Sequence, residues 1–152
     1  SILVADRRPA QLQKIMEMLY KEKTRHLELD MEALYRNIRT TLKQRSLIVF
    51  FTNFESSSAL DRQLPFLKRI AKFHLLLVVF FENTTLKELT EKPAKDIEGI
   101  YIKTIAEKFA FEKKLMVKEL TKHGILSLLT TPQNLTVNVV NNYLAIKAKQ
   151  QL

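Results

Sequence analysis

The sequence contains no cysteine, which excludes disulfides and cysteine-ligated metal sites and fits a reducing compartment. Only two glycines, Gly99 and Gly124, and four prolines occur in 152 residues. Two glycines cannot build a glycine-rich phosphate loop. So few breakers also argue against a linker or a disordered tail. Long hydrophobic runs are missing too: the longest, HLLLVVFF at 74–81, is far too short to span a bilayer. The opening SILVADRRPA, with charge at Asp6, does not read as a signal peptide, and none is expected in this stretch. The chain starts on Ser1-Ile2-Leu3-Val4 without a methionine, directly on an apolar stretch that reads as a strand, so a fragment cut inside a longer domain is expected.

What is present is a 46% hydrophobic chain of one domain's length, enough to bury a real core. The formal charge of +9 raises nucleic-acid or acidic-membrane binding as one function class. Lysines and glutamates are interspersed along every helical segment, however, as in KELTEK and EKKLMVKEL, which is the pattern of a solvated helix face. No arginine-rich block, stacking motif or helix-turn-helix signature accompanies the charge, and no nucleic-acid partner is expected.

Apolar runs alternate with helical periodicity along the chain. Leu12, Ile15, Met16, Leu19 and Tyr20 trace one helix face after Pro9. Met31, Leu34, Tyr35, Ile38 and Leu42 trace a second, with Asp30 as its expected N-cap. Residues 46–51 form a strand apolar on both faces, as expected of a central parallel strand covered on each side. A helix through Leu60, Leu64, Leu67 and Ile70 follows, with Pro65 setting or bending its start, and then the strand at 74–81. A short helix over LKELTEK ends near Pro93. A long helix from near Asp96 to Lys122 stops at His123-Gly124, with glycine at the left-handed position. ILSLL at 125–129 is a last strand; the β-branched residues of the tail favour a strand, but Leu135, Val139, Tyr143 and Ile146 keep helical spacing, and a helix is expected there. The alternation implies an α/β fold: a three-layer α/β/α domain over residues 1–152, with a mostly parallel sheet and an incomplete N-terminus.

In open parallel sheets the functional crevice lies outside the carboxyl ends of the strands. Here those ends carry Thr52-Asn53-Phe54-Glu55, Glu82-Asn83-Thr84 and Thr130-Thr131-Pro132. Hydroxyls, amides and carboxylates on one edge suit a hard cation; the same residue types also cap helices and close turns. Ser56-Ser57-Ser58 lacks nucleophile-elbow glycines, and Ser58-x-x-Asp61 fits a capping box. His26, His74 and His123 stand alone, without paired metal-ligand spacing, and read as structural.

RSLIVFFTNFES, LPFLKRIAKFHLLLVVFFEN and KKLMVKELTKHGILSLLTTPQNLTVNVVNNYL, taken in order and spacing, resemble the bacterial domain-of-unknown-function family fifty-eight. That family has a von Willebrand factor A-like fold. The match covers nearly the whole chain, most convincingly residues 45–144. It implies a doubly wound sheet lacking its N-terminal strands. By that comparison the first strand, first helix and second strand are missing, and the Asp-x-Ser-x-Ser metal loop occurs nowhere in the sequence. The family's third-loop Asp is expected directly after Thr52, where this chain has Asn53. A neutral amide weakens divalent-cation binding. No cofactor is therefore expected, with Mg²⁺ or Mn²⁺ conceivable only if the missing loop is supplied and Thr52 and Glu55 as the fallback ligands.

The resemblance implies a non-catalytic protein-interaction module, partnered with a MoxR-type AAA+ ATPase in complex assembly. Its expected contact surface is Thr52, Asn53, Glu55, Ser56, Ser57, Asn83 and Thr84. The full-length protein is expected in the cytoplasm or at the cytoplasmic face of a membrane, reached only through segments outside this chain. The competing class is a metal-dependent hydrolase using Thr52, Glu55 and Glu82. A missing strand would also leave a sheet edge open, and a homodimer through that edge is expected.

Overall fold

The computed structural model describes residues 3, 6, 8–23, 29–54, 56–91, 93 and 96–149. It divides into two compact units, Ser1–Asp30 and Met31–Leu152. The first unit holds α1 (Ala10–Lys21), which opens behind Pro9. Its apolar stripe is helical as expected, yet it is exposed, with Tyr20 at 92%. The strand expected at residues 1–4 lies outside the described residues except for Leu3, which has no regular structure. His26 also lies outside them.

The second unit runs α2 (Met31–Thr41), β1 (Leu47–Phe51), α3 (Ser57–Ala71), β2 (Leu75–Phe81), α4 (Thr84–Glu91), α5 (Ile97–Lys122), β3 (Leu126–Thr130) and α6 (Leu135–Ala148). The strands form one parallel sheet in the order β1-β2-β3. Register pairs Leu47 with Leu75 through Phe51 with Val79, and Leu77 with Leu126 through Phe81 with Thr130. Parallel neighbours need crossover connections, and α3 and the α4–α5 pair supply them.

Alternation along the strands sets the two faces. Ile48, Phe50, Leu76, Val78 and Phe80 point into a core closed by Met31 of α2, Leu60, Leu64, Leu67 and Ile70 of α3, and Met116 and Leu120 of α5. Each side chain buried in this way stabilises by about 1.5–3 kcal/mol. Leu77 and Val79, buried on the other face, lie outside that cluster. Thr130 shares their face and accepts a 2.8 Å hydrogen bond from Asn138 Nδ2 of α6, whose Ile146 is also buried. Helices therefore cover both faces of the β2–β3 region. The strand order runs in one direction, without a reversal among the described residues.

The sequence expectation fails for β1. Its both-face apolar pattern suggests a central strand, but β2 is the central one and β1 lies at the edge of the sheet. Five of the seven β2 residues are buried, whereas β1 is only half-buried and Phe51 is 54% exposed. Two helix details also differ. Pro65 sits well inside α3 rather than at its start, and the N-cap is Ser56, whose Oγ accepts from the Ala59 N–H at 3.3 Å, not Ser58.

The C-terminus of α5 shows how local chemistry terminates an element. Ile125 N–H donates to Leu120 C=O at 3.1 Å and Gly124 N–H to Thr121 C=O at 2.9 Å, a Schellman motif. Gly124 takes φ +70, and Leu120 and Ile125, the apolar pair of that motif, are both buried. One turn earlier, Glu119 accepts from Lys122 Nζ at 2.9 Å and faces His123 Nε2 at 3.2 Å. The Lys122 hydrogen bond is the main reason the Glu119 carboxyl titrates below its ordinary 4.5; desolvation opposes it, and the charge of Lys122 and then His123 add to the lowering. A carboxyl lowered on folding stabilises above its unfolded value, and that contribution fades as pH falls through the lower folded one. Glu119→Gln is therefore expected to lower stability at pH 7 and to converge on the parent in acid, as the Glu119 carboxyl becomes protonated in the folded state. Urea denaturation of both proteins across that range checks it.

Candidate functional site

The carboxyl ends of β1 and β2 open into a groove of about 690 Å³ between the sheet, α4 and α5. Phe81, Leu86, Phe109 and Leu129 provide apolar lining, and Asn53, Glu82, Asn83, Lys87, Lys113 and Lys114 provide polar groups. Three of the sequence's strand-end residues, Asn53, Glu82 and Asn83, therefore converge on one concavity.

The organising group is Lys113, presented by α5. Its Nζ donates to Asn53 Oδ1 at 2.8 Å and to the Phe54 carbonyl. The same ammonium stands 5.9 Å from the centre of the Phe80 ring, inside cation–π range. Phe54 explains why the loop can be held so closely. It is 1% exposed and packs edge-on against Phe80, with ring centroids 6.1 Å apart at 69°. The strand thus leaves the sheet at Thr52, turns an apolar side chain back into the core, and offers its carbonyl to a lysine from a distant helix.

The remaining polar residues hold local structure. Thr52 is half-buried and its N–H continues the ladder to Val79 C=O at 3.0 Å. Ser56 caps α3, and Ser57 is exposed in the first turn of that helix. Asn83 caps α4 by accepting from the Leu86 N–H at 3.1 Å, while Thr84 begins that helix half-buried. Ser56, Ser57, Thr52 and Thr84 do not line the groove, and Glu55 lies outside the described residues. At the third strand end, Thr130 receives Asn138 and Asn142 Nδ2 bonds Asn138 C=O at 2.9 Å, which locks α6 to β3. At the opposite end of β2, His74 is buried at 4%, and neither ring nitrogen has a partner among the described residues.

This donor set does not fit a divalent cation. The Asn53 oxygen already accepts from an ammonium, whose charge repels a metal ion at the same oxygen. Among the described residues no three His, Asp or Glu side chains gather in metal-binding proximity. No helix among them is long and apolar enough to cross a membrane.

Lys113 is the residue that sequence reasoning missed. It lies 60 positions from Asn53, within a run whose mixed charge reads as a solvated face. A scan against protein-family models gave no match, and searches of curated proteins and of solved structures gave none either.

Proposed function

We propose that Met31–Leu152 is a non-catalytic protein-interaction module of the von Willebrand A-like type, which binds its partner at the carboxyl ends of the strands. The observation that carries this reading is the Lys113-closed groove, where an apolar floor is rimmed by amides and charges. Such a mixture fits a protein contact, in which apolar anchors give affinity and the rim gives selectivity. Ser56 and Asn83 are engaged in capping and Thr130 in locking α6, and among the described residues none of these three is bonded to a histidine or carboxylate base. The domain-of-unknown-function resemblance supplies the partner class, a MoxR-type AAA+ ATPase, and the cytoplasmic setting.

The test is binding of the purified domain to the MoxR-type ATPase encoded nearest its gene, measured by biolayer interferometry. Reversing the rim with Asn53→Arg and Lys114→Glu is expected to weaken binding at least tenfold, about 1.4 kcal/mol. Asn141→Arg, on exposed α6, is the control and is expected to leave binding unchanged. Equal binding by all three proteins would remove the groove as the contact surface. No binding by any of them would remove this partner class.

A further inference from the structure

The outer edge of β1 carries backbone groups that no described strand pairs with. Towards β2, Leu75 N–H donates to Ser46 C=O at 2.9 Å and Thr52 N–H to Val79 C=O at 3.0 Å. Residues of a parallel strand alternate in the side to which they turn their N–H and C=O. The N–H and C=O of Leu47, Val49 and Phe51 therefore face away from the sheet. No strand pairs with this edge among the described residues. The edge also lacks the usual protections: LIVFF holds no charge and no proline.

We propose that this edge pairs with the same edge of a second copy, antiparallel about Val49, to make a continuous six-stranded sheet across a two-fold axis. The inference is independent of the groove reading. Its first support is symmetry. Open groups at 47, 49 and 51 are evenly disposed about 49, so one register satisfies all of them: Val49 opposite Val49, and Leu47 opposite Phe51. A self-complementary edge of this kind makes a closed dimer rather than an open polymer.

The second support is charge. Lys43 and Arg45 precede the strand, whereas neutral Thr52 and Asn53 follow it. In the antiparallel register the two Arg45 side chains stand at opposite ends of the paired strands. A parallel arrangement would set Arg45 against Arg45, which is unfavourable for directly opposed residues. The third support is apolar: Leu47 and Val49 are only half-buried and Phe51 is exposed, so the added strands give these side chains cross-strand neighbours. Five-residue edges form a small interface, so the dimer is expected to be weak, with micromolar dissociation.

Because the chain has no cysteine, a single introduced one reports alone. Directly opposed residues in a hydrogen-bonded antiparallel pair have Cα atoms about 5.5 Å apart, within disulfide range. Val49→Cys is therefore expected to cross-link into a dimer with oxidised glutathione. Ile48→Cys, whose side chain points into the core, is expected to stay monomeric under the same conditions. In sedimentation the parent is expected to show a concentration-dependent monomer–dimer equilibrium. Val49→Lys, which sets like charges together at the dyad, is expected to abolish it, with circular dichroism confirming the fold. A parent that stays monomeric at every concentration reached would overturn the proposal. So would a dimer that survives Val49→Lys, or one that cross-links equally well through Ile48→Cys.

Discussion

Phe54→Ala is expected to cost about 3–5 kcal/mol, the largest loss of any substitution near the groove. The ring is almost wholly buried, and it meets Phe80 edge-on at the mouth of the core. Truncation removes apolar burial, the aromatic pair and the plug that seals the ends of β1 and β2. The core cluster that includes Phe54 is drawn from α2, α3, β2 and α5, so its members cannot all close on the space left behind. Phe54→Leu retains most of the volume and is expected to cost less than half as much. Urea denaturation with an unchanged slope would report these differences as stability. A Phe54→Ala loss below about 1 kcal/mol would mean that the loop is not anchored through this ring.

Lys113→Met is expected to cost about 1–2 kcal/mol while keeping the length and packing of the stem. The loss comes from the Phe54 carbonyl and Asn53 amide, which lose a charged donor at a half-buried position. Lys113 is partly exposed, so water takes up some of what is lost. The distinguishing result is coupling: Asn53→Ala combined with Lys113→Met is expected to cost less than the sum of the two, by at least 0.5 kcal/mol. Additive losses would separate the two residues. Asn53→Asp is informative in the other direction. Its carboxylate would stand at the same 2.8 Å from Lys113 Nζ, forming an ion pair rather than a vacant metal ligand. The effect is expected to be neutral to stabilising, without gain of Mg²⁺ binding in calorimetry.

The elements of the second unit were largely legible because each is written in local chemistry. The periodic stripe of α3, the start of α5 near Asp96 and the Gly124 stop all appear in the sequence where the structure has them; the structure adds that Asp96 caps α5, accepting from Gly99 N–H at 2.7 Å. The helical spacing of α6 prevailed over its β-branched composition: Ile146 is buried and Asn138 reaches Thr130 of β3. The position of β1 was not legible. An apolar run records that a strand is compatible with burial on both faces, and it does not record which element covers each face. The cap of α3 was ambiguous for a related reason, since three consecutive serines offer the same oxygen and only tertiary packing selects Ser56. Pro65 was misplaced because a proline marks a missing donor wherever it stands, and here the packing of Leu60, Leu64, Leu67 and Ile70 carries the helix through it.

The candidate site was legible in halves. Parallel strands predict that Asn53, Glu82 and Asn83 gather at one edge, and they do. Asn83 caps α4, a role its residue type and position allow, whereas nothing in the sequence indicates that Asn53 accepts from a lysine. Lys113 could not be found from spacing, because its role depends on how α5 crosses the sheet. Phe54 was readable only as an apolar residue within a polar turn, a small anomaly that marks the anchor.

The most direct measurement of the central claim, that a lysine ammonium closes the strand-end loop, is a lysine-selective ¹⁵N NMR spectrum of the side-chain NH₃⁺ groups. A Lys113 ammonium held by Asn53 and the Phe54 carbonyl exchanges slowly with water. A resolved NH₃⁺ correlation is therefore expected near neutral pH, assigned by its disappearance in Lys113→Met and shifted by Asn53→Ala. A spectrum in which Lys113 is indistinguishable from the solvent-exchanged surface lysines would contradict the account and leave the groove without its organising group.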